Sequence, residues 1–423
     1  MKQKTSRVKE ILRSFGPGFI TGASDDDPSG IATYSQVGAQ FGFGMLWTML
    51  FSFPFMGAIQ EISGRIGRVT GHGIAGNIRK HYSRWLLYPT VFLLFAANTI
   101  NLGVDLGAMA AALKLFVRGP ASLYVIGVAL LSLILEIRIP YKSYVAYLKW
   151  LSLTLLAYVA TAFAIKIPWG HVLKETFLPS MPRNAAAFTA LIAILGTTIS
   201  PYLFFWQASE EAEEVQDRPK EHALMKRPLE ASGQLQRIRL DTYVGMGFSN
   251  LTAFFIILTT AATLHRHGVQ DIQTAAQAAS ALEPLAGHFA FVLFALGIIG
   301  TGLLTIPVLA GSAAYAVGEA FRLPVSLQRR PKRVKGFYAV LALSVILGML
   351  MNFLEFNPIK ALYWTAVLNG IVSVPIIAVM MIMTANAKVM GGFTLPRYLR
   401  IMGWLTLGLM LVAVCGLVLT WGR

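Results

Sequence analysis

The sequence predicts an all-α polytopic membrane protein of about eleven transmembrane helices whose first and sixth spans are broken, and three observations carry that prediction. Of its 423 residues 55% are hydrophobic and only 13% charged, whereas an ordinary soluble domain carries about 25% charged residues. Apolar segments of about 20 residues recur along the whole length, too many for one anchor or leader. Two of these segments, five spans apart, hold a proline in mid-span beside polar residues.

The spans fall at roughly 15–41, 44–64, 86–113, 121–139, 143–165, 186–209, 241–264, 285–317, 336–353, 359–384 and 400–421. They divide into a first repeat at about 15–165, a second at about 186–384 and an extra helix at about 400–421, all within one transmembrane domain covering residues 1–423. The N-terminal MKQKTSRVKEILRSFGPGF is basic like the start of a signal peptide, but no small-residue cleavage site follows, so it is expected to be retained. The net charge of +16 follows topology. With the N-terminus inside, loops on that side hold about 27 of the 36 Lys+Arg and the opposite side about 8. This asymmetry argues against nucleic-acid binding, puts the N-terminus inside and the C-terminus outside a cytoplasmic membrane, and leaves the lipid bilayer as the partner of the basic loops. The single cysteine, Cys415, excludes an internal disulfide and a thiolate cluster built from this chain alone.

In the first span the stretch SDDDPSGI sets Asp25, Asp26 and Asp27 side by side before Pro28. A mid-span proline removes a backbone donor and clashes with the carbonyl four residues earlier, so the helix is expected to open there. An ionised Asp at bilayer depth costs on the order of 3 kcal/mol, so the three carboxylates are expected to line a polar site. Successive helical residues fan out by about 100°, so either the backbone unwinds or the three do different work. The competing reading puts the triad at a membrane surface, capping the next helix. The sixth span, LIAILGTTISPYLFFWQASEE, opens near Pro201 and offers the hydroxyls of Thr197, Thr198 and Ser200. Five spans separate the two breaks, so the broken helices run antiparallel, as in inverted-repeat carriers with a site at mid-membrane.

Every candidate ligand at these breaks is oxygen, which suits hard divalent ions such as Mg²⁺, Ca²⁺ or Mn²⁺. Asp105, deep in the third span with Asn98 and Asn101 nearby, is expected to relay a proton or an ion. Glu61 in the second span is a further relay candidate, with a solvated or salt-bridged position the alternative. Asn250 and Asn369 either reach the site or join helices. Glu136 beside Arg138 reads as an interfacial pair, and about Glu210 to Arg239 as a cytoplasmic loop. No HExxH helix, serine–lysine pair or nucleophile elbow is present, so an enzyme is not expected.

GPGF followed by Asp27-Pro28, then IGRVTGHGIAGNIR, Asp105-Leu106, the proline-broken sixth helix, and DTYVGMGFSN with Asp241 and Asn250 resemble the NRAMP family of divalent-metal transporters over nearly the whole chain. The resemblance implies two inverted five-helix repeats, as in sodium-coupled amino-acid transporters of the LeuT type, and import of Mn²⁺ or Fe²⁺ with protons. The family's DPGN motif becomes Asp27-Pro28-Ser29-Gly30, keeping the coordinating Asp and losing the Asn, and its MPH motif becomes Ser200-Pro201-Tyr202. A second sixth-helix histidine of the family falls on Gln207, an acid after the third-helix Asp falls on Ala108, and Thr197 matches the residue whose backbone carbonyl ligates metal. The losses of thioether and imidazole favour harder ions, a pattern similar to the NRAMP-related magnesium transporters.

The expected function is therefore import of Mg²⁺ or Mn²⁺, with Fe²⁺ a further candidate, by alternating access, the ion being substrate and no cofactor being needed. Asp27 would be the central ligand, with Asp26, Asp25, Thr197 and Ser200 completing the site and Ser29, Tyr202, Gln207, Asn250 and Asn369 supporting it. No obligate protein partner is expected. The alternative on the same architecture is a cation-coupled carrier of a small organic solute.

Overall fold

A computed structural model describes residues 17–139, 144, 148, 151–217, 222–354 and 356–420. The basic N-terminal segment and the start of the fifth expected span lie outside the described residues. The described secondary structure is entirely helical. In chain order the main helices are α1 (Pro17–Ala23), α2 (Pro28–Phe41), α3 (Trp47–Thr70), α4 (Ile74–His81), α5 (Arg84–Leu113), α6 (Ala121–Arg138), α7 (Leu156–Ala164), α8 (Trp169–Phe177), α9 (Ala185–Thr198), α10 (Pro201–Asp217), α11 (Ala231–Thr263), α12 (Ala290–Ala320), α13 (Lys335–Met351), α14 (Pro358–Ala385) and α15 (Arg397–Thr420).

By length and composition, seven of the described helical stretches can cross a membrane, or up to eight if the bent pair Pro28–Met45 and Trp47–Thr70, which meet at 110°, is one span. The fifth and ninth expected spans hold the shorter apolar helices Leu153–Ala164 and Lys335–Met351. Large apolar side chains such as Phe92 on α5, Leu130 and Ile134 on α6, and Val412 and Leu419 on α15 point outward, as a lipid-facing surface requires.

Both breaks fall beside a proline and polar residues, whereas Pro54, Pro89, Pro307 and Pro375 lie inside helices that continue through them. The first covers Ser24 to Asp27, and Pro28 then opens α2, a position where its missing N–H costs nothing. In the second, Ile199 leaves helical geometry with φ −124° and ψ 58°, and Pro201 opens α10 after Ser200. Unlike the sharp bend after α2, this break leaves α9 and α10 close enough to one direction that Ala185–Gln216 reads as one span.

The helices around the breaks form two packed sets. α1 and α2 lie on α11, which also packs on α3, and α3 packs on α10; α5 meanwhile packs against α12, α13 and α14, and α9 against α14. Two glycine contacts set the spacing. A Cβ on Gly22 would run into the backbone of Gly245, and one on Gly196 into the carbonyl of Ala366 and, at 2.5 Å, the nitrogen of Gly370. Backbones in such contact are the membrane form of close helix packing, where dispersion replaces a hydrophobic driving force.

One expectation is corrected here. The stretch Glu210 to Arg239 is not a loop through its length, because α10 continues to Asp217 and α11 begins at Ala231. Glu210, Glu211, Glu213 and Glu214 are buried on α10, since other helices supply the partners that solvent would otherwise provide.

Candidate functional site

Asp27 caps α2. Its Oδ1 accepts the Gly30 N–H at 2.6 Å, so the capping half of the surface reading holds. The surface half does not: Asp25, Asp26 and Asp27 are 1%, 2% and 3% exposed. The second break approaches the same carboxylate. Tyr202, on the first turn of α10, places its hydroxyl 3.4 Å from Asp27 Oδ2 and 3.5 Å from the carbonyl of Ser24, which also accepts Thr305 Oγ1 from α12 at 3.2 Å. A side chain from the helix that follows the second break therefore reaches Asp27, and the carbonyl freed by the first turn faces side chains from α10 and α12.

At the second break Ser200 Oγ lies 2.5 Å from the Gly196 carbonyl and 2.9 Å from that of Thr197, while Ser373 of α14 donates to the Ile199 carbonyl at 2.6 Å. Thr197 Oγ1 sits 2.8 Å from the Tyr34 hydroxyl and 2.9 Å from the Ile194 carbonyl. Hydroxyls thus cover the carbonyls that the broken helix exposes, as a break buried away from water requires.

Asp25 and Asp26 turn away from Asp27 toward α11. One hydroxyl, Ser249 Oγ, lies 2.5 Å from Asp25 Oδ2 and 3.0 Å from Asp26 Oδ1, while Asp25 Oδ1 is buried without a hydrogen-bond partner. No three Asp, Glu, His or Cys side chains converge on one point among the described residues. That agrees with three consecutive residues fanning apart. Ser249 was not singled out in the sequence, where nothing local marks a serine 223 residues away as the partner of Asp26.

The other residues divide. Asp105 is fully buried, neither of its oxygens has a hydrogen-bond partner among the described residues, and its carboxylate interacts electrostatically with Asp27. Ser29 donates to the Leu362 carbonyl at 2.8 Å and lies 3.2 Å from Thr365 Oγ1, tying α2 to α14 beside the site. Asn369 accepts Asn101 Nδ2 at 2.9 Å. Gln207 donates to Thr242 Oγ1 at 2.8 Å, and Asn250 Nδ2 lies 3.4 Å from Ser52 Oγ. Neither has a described bond to Asp27. Glu61 is held by Arg65 at 2.7 Å and by Tyr398 at 3.0 Å, which is the salt-bridged alternative. Glu136 is corrected: it has no ion pair with Arg138 and, among the described residues, both its oxygens are buried without a hydrogen-bond partner, because residues two apart on a helix do not face each other.

A cavity of about 350 Å³ opens beside α2, lined by Ser35, Gln36, Gln40, Asp271, Lys360 and Leu362 among others. Leu362, which lines this cavity, is also the residue whose carbonyl Ser29 holds. At the far end of α10 a charged hub joins four elements. Arg237 of α11 bonds Glu211 at 2.6 Å and lies 3.8 Å from Glu214, which Arg68 of α3 approaches at 3.9 Å. Glu213 accepts from Ser326 at 2.6 Å and from the Gln328 N–H at 3.0 Å. Asp241 accepts the Gly18 N–H at 2.9 Å, which fastens α1 to α11. Nearby, Glu319 of α12 accepts the N–H groups of Gly73 and Gly76 at 2.6 and 2.8 Å, pinning the start of α4. Burial, then Lys80 and Arg79, hold the His72 imidazole below its ordinary value.

The model of the family described as natural resistance-associated macrophage protein-like (Nramp) matches residues 18–420. The chain is similar to the divalent metal cation transporter MntH of Klebsiella pneumoniae (strain 342), 26% identical over 411 residues covering 94% of this chain and 91% of the relative. Its fold is similar to that of the Eremococcus coleocola manganese transporter bound to an aromatic bis-isothiourea compound, with a TM-score of 0.75 at 18% identity, covering 98% of this chain and 88% of that one. It is also similar to the inward-facing conformation of Mhp1, with a TM-score of 0.54 at 13% identity over 96% of this chain and 90% of that one.

Proposed function

The chain belongs to the Nramp family, and from that premise we propose that it imports a hard divalent cation, Mg²⁺ or Mn²⁺ with Fe²⁺ a further candidate, across the cytoplasmic membrane. As a member of that family it is an integral membrane metal transporter and not an enzyme, and the metal is its substrate and not a cofactor. The observation that carries the ion reading is the meeting of the two broken helices at Asp27, in a site whose ligands are all oxygen.

In this reading Asp27 Oδ1 stays with the Gly30 N–H, and Oδ2, which faces Tyr202, takes the ion. The Thr197 carbonyl and Ser200 hydroxyl, 2.9 Å apart, supply the opposite side once the Ser200 proton turns away. Asp25 and Asp26 on Ser249 balance charge or act as auxiliary ligands, and Asp105 is a group to which an ion or proton could pass. Transport follows from rocking of the repeats at about 15–165 and 186–384 around this point, with the N-terminus inside and the C-terminus outside.

Purified protein in liposomes should accumulate Mn²⁺ and Mg²⁺ down an imposed gradient; uptake no faster than in empty vesicles defeats the proposal. The hardness argument has its own check. Ser200→Met puts a thioether at the second break, and Cd²⁺ competition for Mn²⁺ uptake should strengthen by about tenfold. An unchanged Cd²⁺ inhibition constant contradicts the assignment of Ser200 to the ion.

A further inference from the structure

Asn98, Asn101 and Asp105 lie at i, i+3 and i+7 on α5, hence on one face over about 10 Å of helix. Both amides spend their donors on neighbouring helices: Asn98 Nδ2 on the Leu309 carbonyl at 2.9 Å and Ser312 Oγ at 2.7 Å, and Asn101 Nδ2 on Asn369 Oδ1 at 2.9 Å. That leaves oxygens. Among the described residues Asn98 Oδ1, Asn101 Oδ1 and both oxygens of Asp105 are buried with no hydrogen-bond partner, and all three residues are 0% exposed. A buried acceptor left without a donor costs about 1–3 kcal/mol, and a row of them including a carboxylate is not sustained for packing alone. Whatever satisfies the row must carry positive charge or donated protons and need no acceptor in return. The facing stretches offer no basic side chain for it. From Trp85 to Leu113, from Ala290 to Ala320 and from Ala361 to Ala385, the facing stretches of α5, α12 and α14, there is no Lys, Arg or His.

We propose that Asp105, with the amide oxygens of Asn101 and Asn369, forms a second station for a hard divalent cation, distinct from the one centred on Asp27. Asn101 and Asp105 are four residues apart, which sets their Cβ atoms about 5–6 Å apart on the helix surface and leaves room for an ion between their oxygens. Asn369 Oδ1 accepts one bond from Asn101 and keeps a second lone pair to offer from α14. One carboxylate and two amide oxygens are hard ligands but few, so the ion keeps several of its waters, as Mg²⁺ and its like do. The station is therefore the weaker of the two, and an ion leaving Asp27 exchanges one carboxylate for another. This rests on the reading that a divalent cation is the substrate.

The test is equilibrium binding of Mn²⁺ to the full-length protein in detergent, read from the loss of the free-ion electron paramagnetic resonance signal. The wild type should show a tighter and a weaker class of site. Asn101→Ala should weaken the second class by about tenfold and leave the first unmoved, whereas Asn101→Asp, which adds a charged ligand, should strengthen it. Asp27→Ala should remove the tighter class alone. A single class in the wild type, or a weaker class indifferent to both Asn101 variants, overturns the second station, including the case in which ordered water alone fills the row. If the Asn101 variants shift binding as stated but Asp27→Ala changes nothing, the station stands and the central role of Asp27 falls.

Discussion

Asp27→Asn should abolish divalent-cation uptake while leaving the fold intact, and Asp27→Ala should abolish it with a small additional loss of stability. The pair separates two jobs that one carboxylate performs. Asp27 caps α2 through Gly30, and asparagine caps about as well as aspartate, whereas alanine at a cap costs about 1 kcal/mol. As an ion ligand the charge itself is needed. Loss of a group that merely supports a metal ligand commonly costs about 10–100-fold in affinity, and loss of the ligand costs more. Uptake into liposomes should therefore fall by roughly a hundredfold or more in both variants, with only the alanine form melting earlier. Wild-type uptake by Asp27→Asn would reduce Asp27 to a helix cap.

The second large effect lies at the charged hub of α10. Glu211 is fully buried and its partner Arg237 is 2.6 Å away. Removing the arginine leaves a carboxylate without its ion partner in a dry setting, a loss on the order of 3 kcal/mol or more. Arg237→Met should lower the midpoint of thermal unfolding in detergent by roughly 5 °C. Adding Glu211→Gln should restore most of it, because the isolated charge is then gone, and the cycle of two single variants and the double measures the coupling directly. Strictly additive losses would show that Arg237 matters only to Glu214 or to packing.

Much of the architecture was legible in the chain. Apolar length marked the spans, and Pro28 and Pro201 marked the breaks, because both signals are local. The place of Asp27 at the first break was legible for the same reason, lying next to its proline. What escaped sequence reading depends on contacts between distant segments. The run SEEAEE reads as solvated because hydropathy treats every glutamate alike, yet Arg237, Tyr315 and Ser326 come to it from 26, 105 and 113 residues away. Glu136 looked paired because Arg138 is near in sequence, although helix geometry separates them. The opposite orientation of Asp25 and Asp26 toward Ser249 left no trace in the sequence, since an isolated serine in an apolar helix is ordinarily bonded to its own backbone.

Position of the ion is the most direct check on these ideas. Anomalous-difference density from crystals grown with Mn²⁺ should place a peak within about 2.5 Å of an Asp27 oxygen and of an oxygen from Thr197 or Ser200. Peaks confined to surface carboxylates, with the space between the two unwound turns empty under saturating metal, would contradict it.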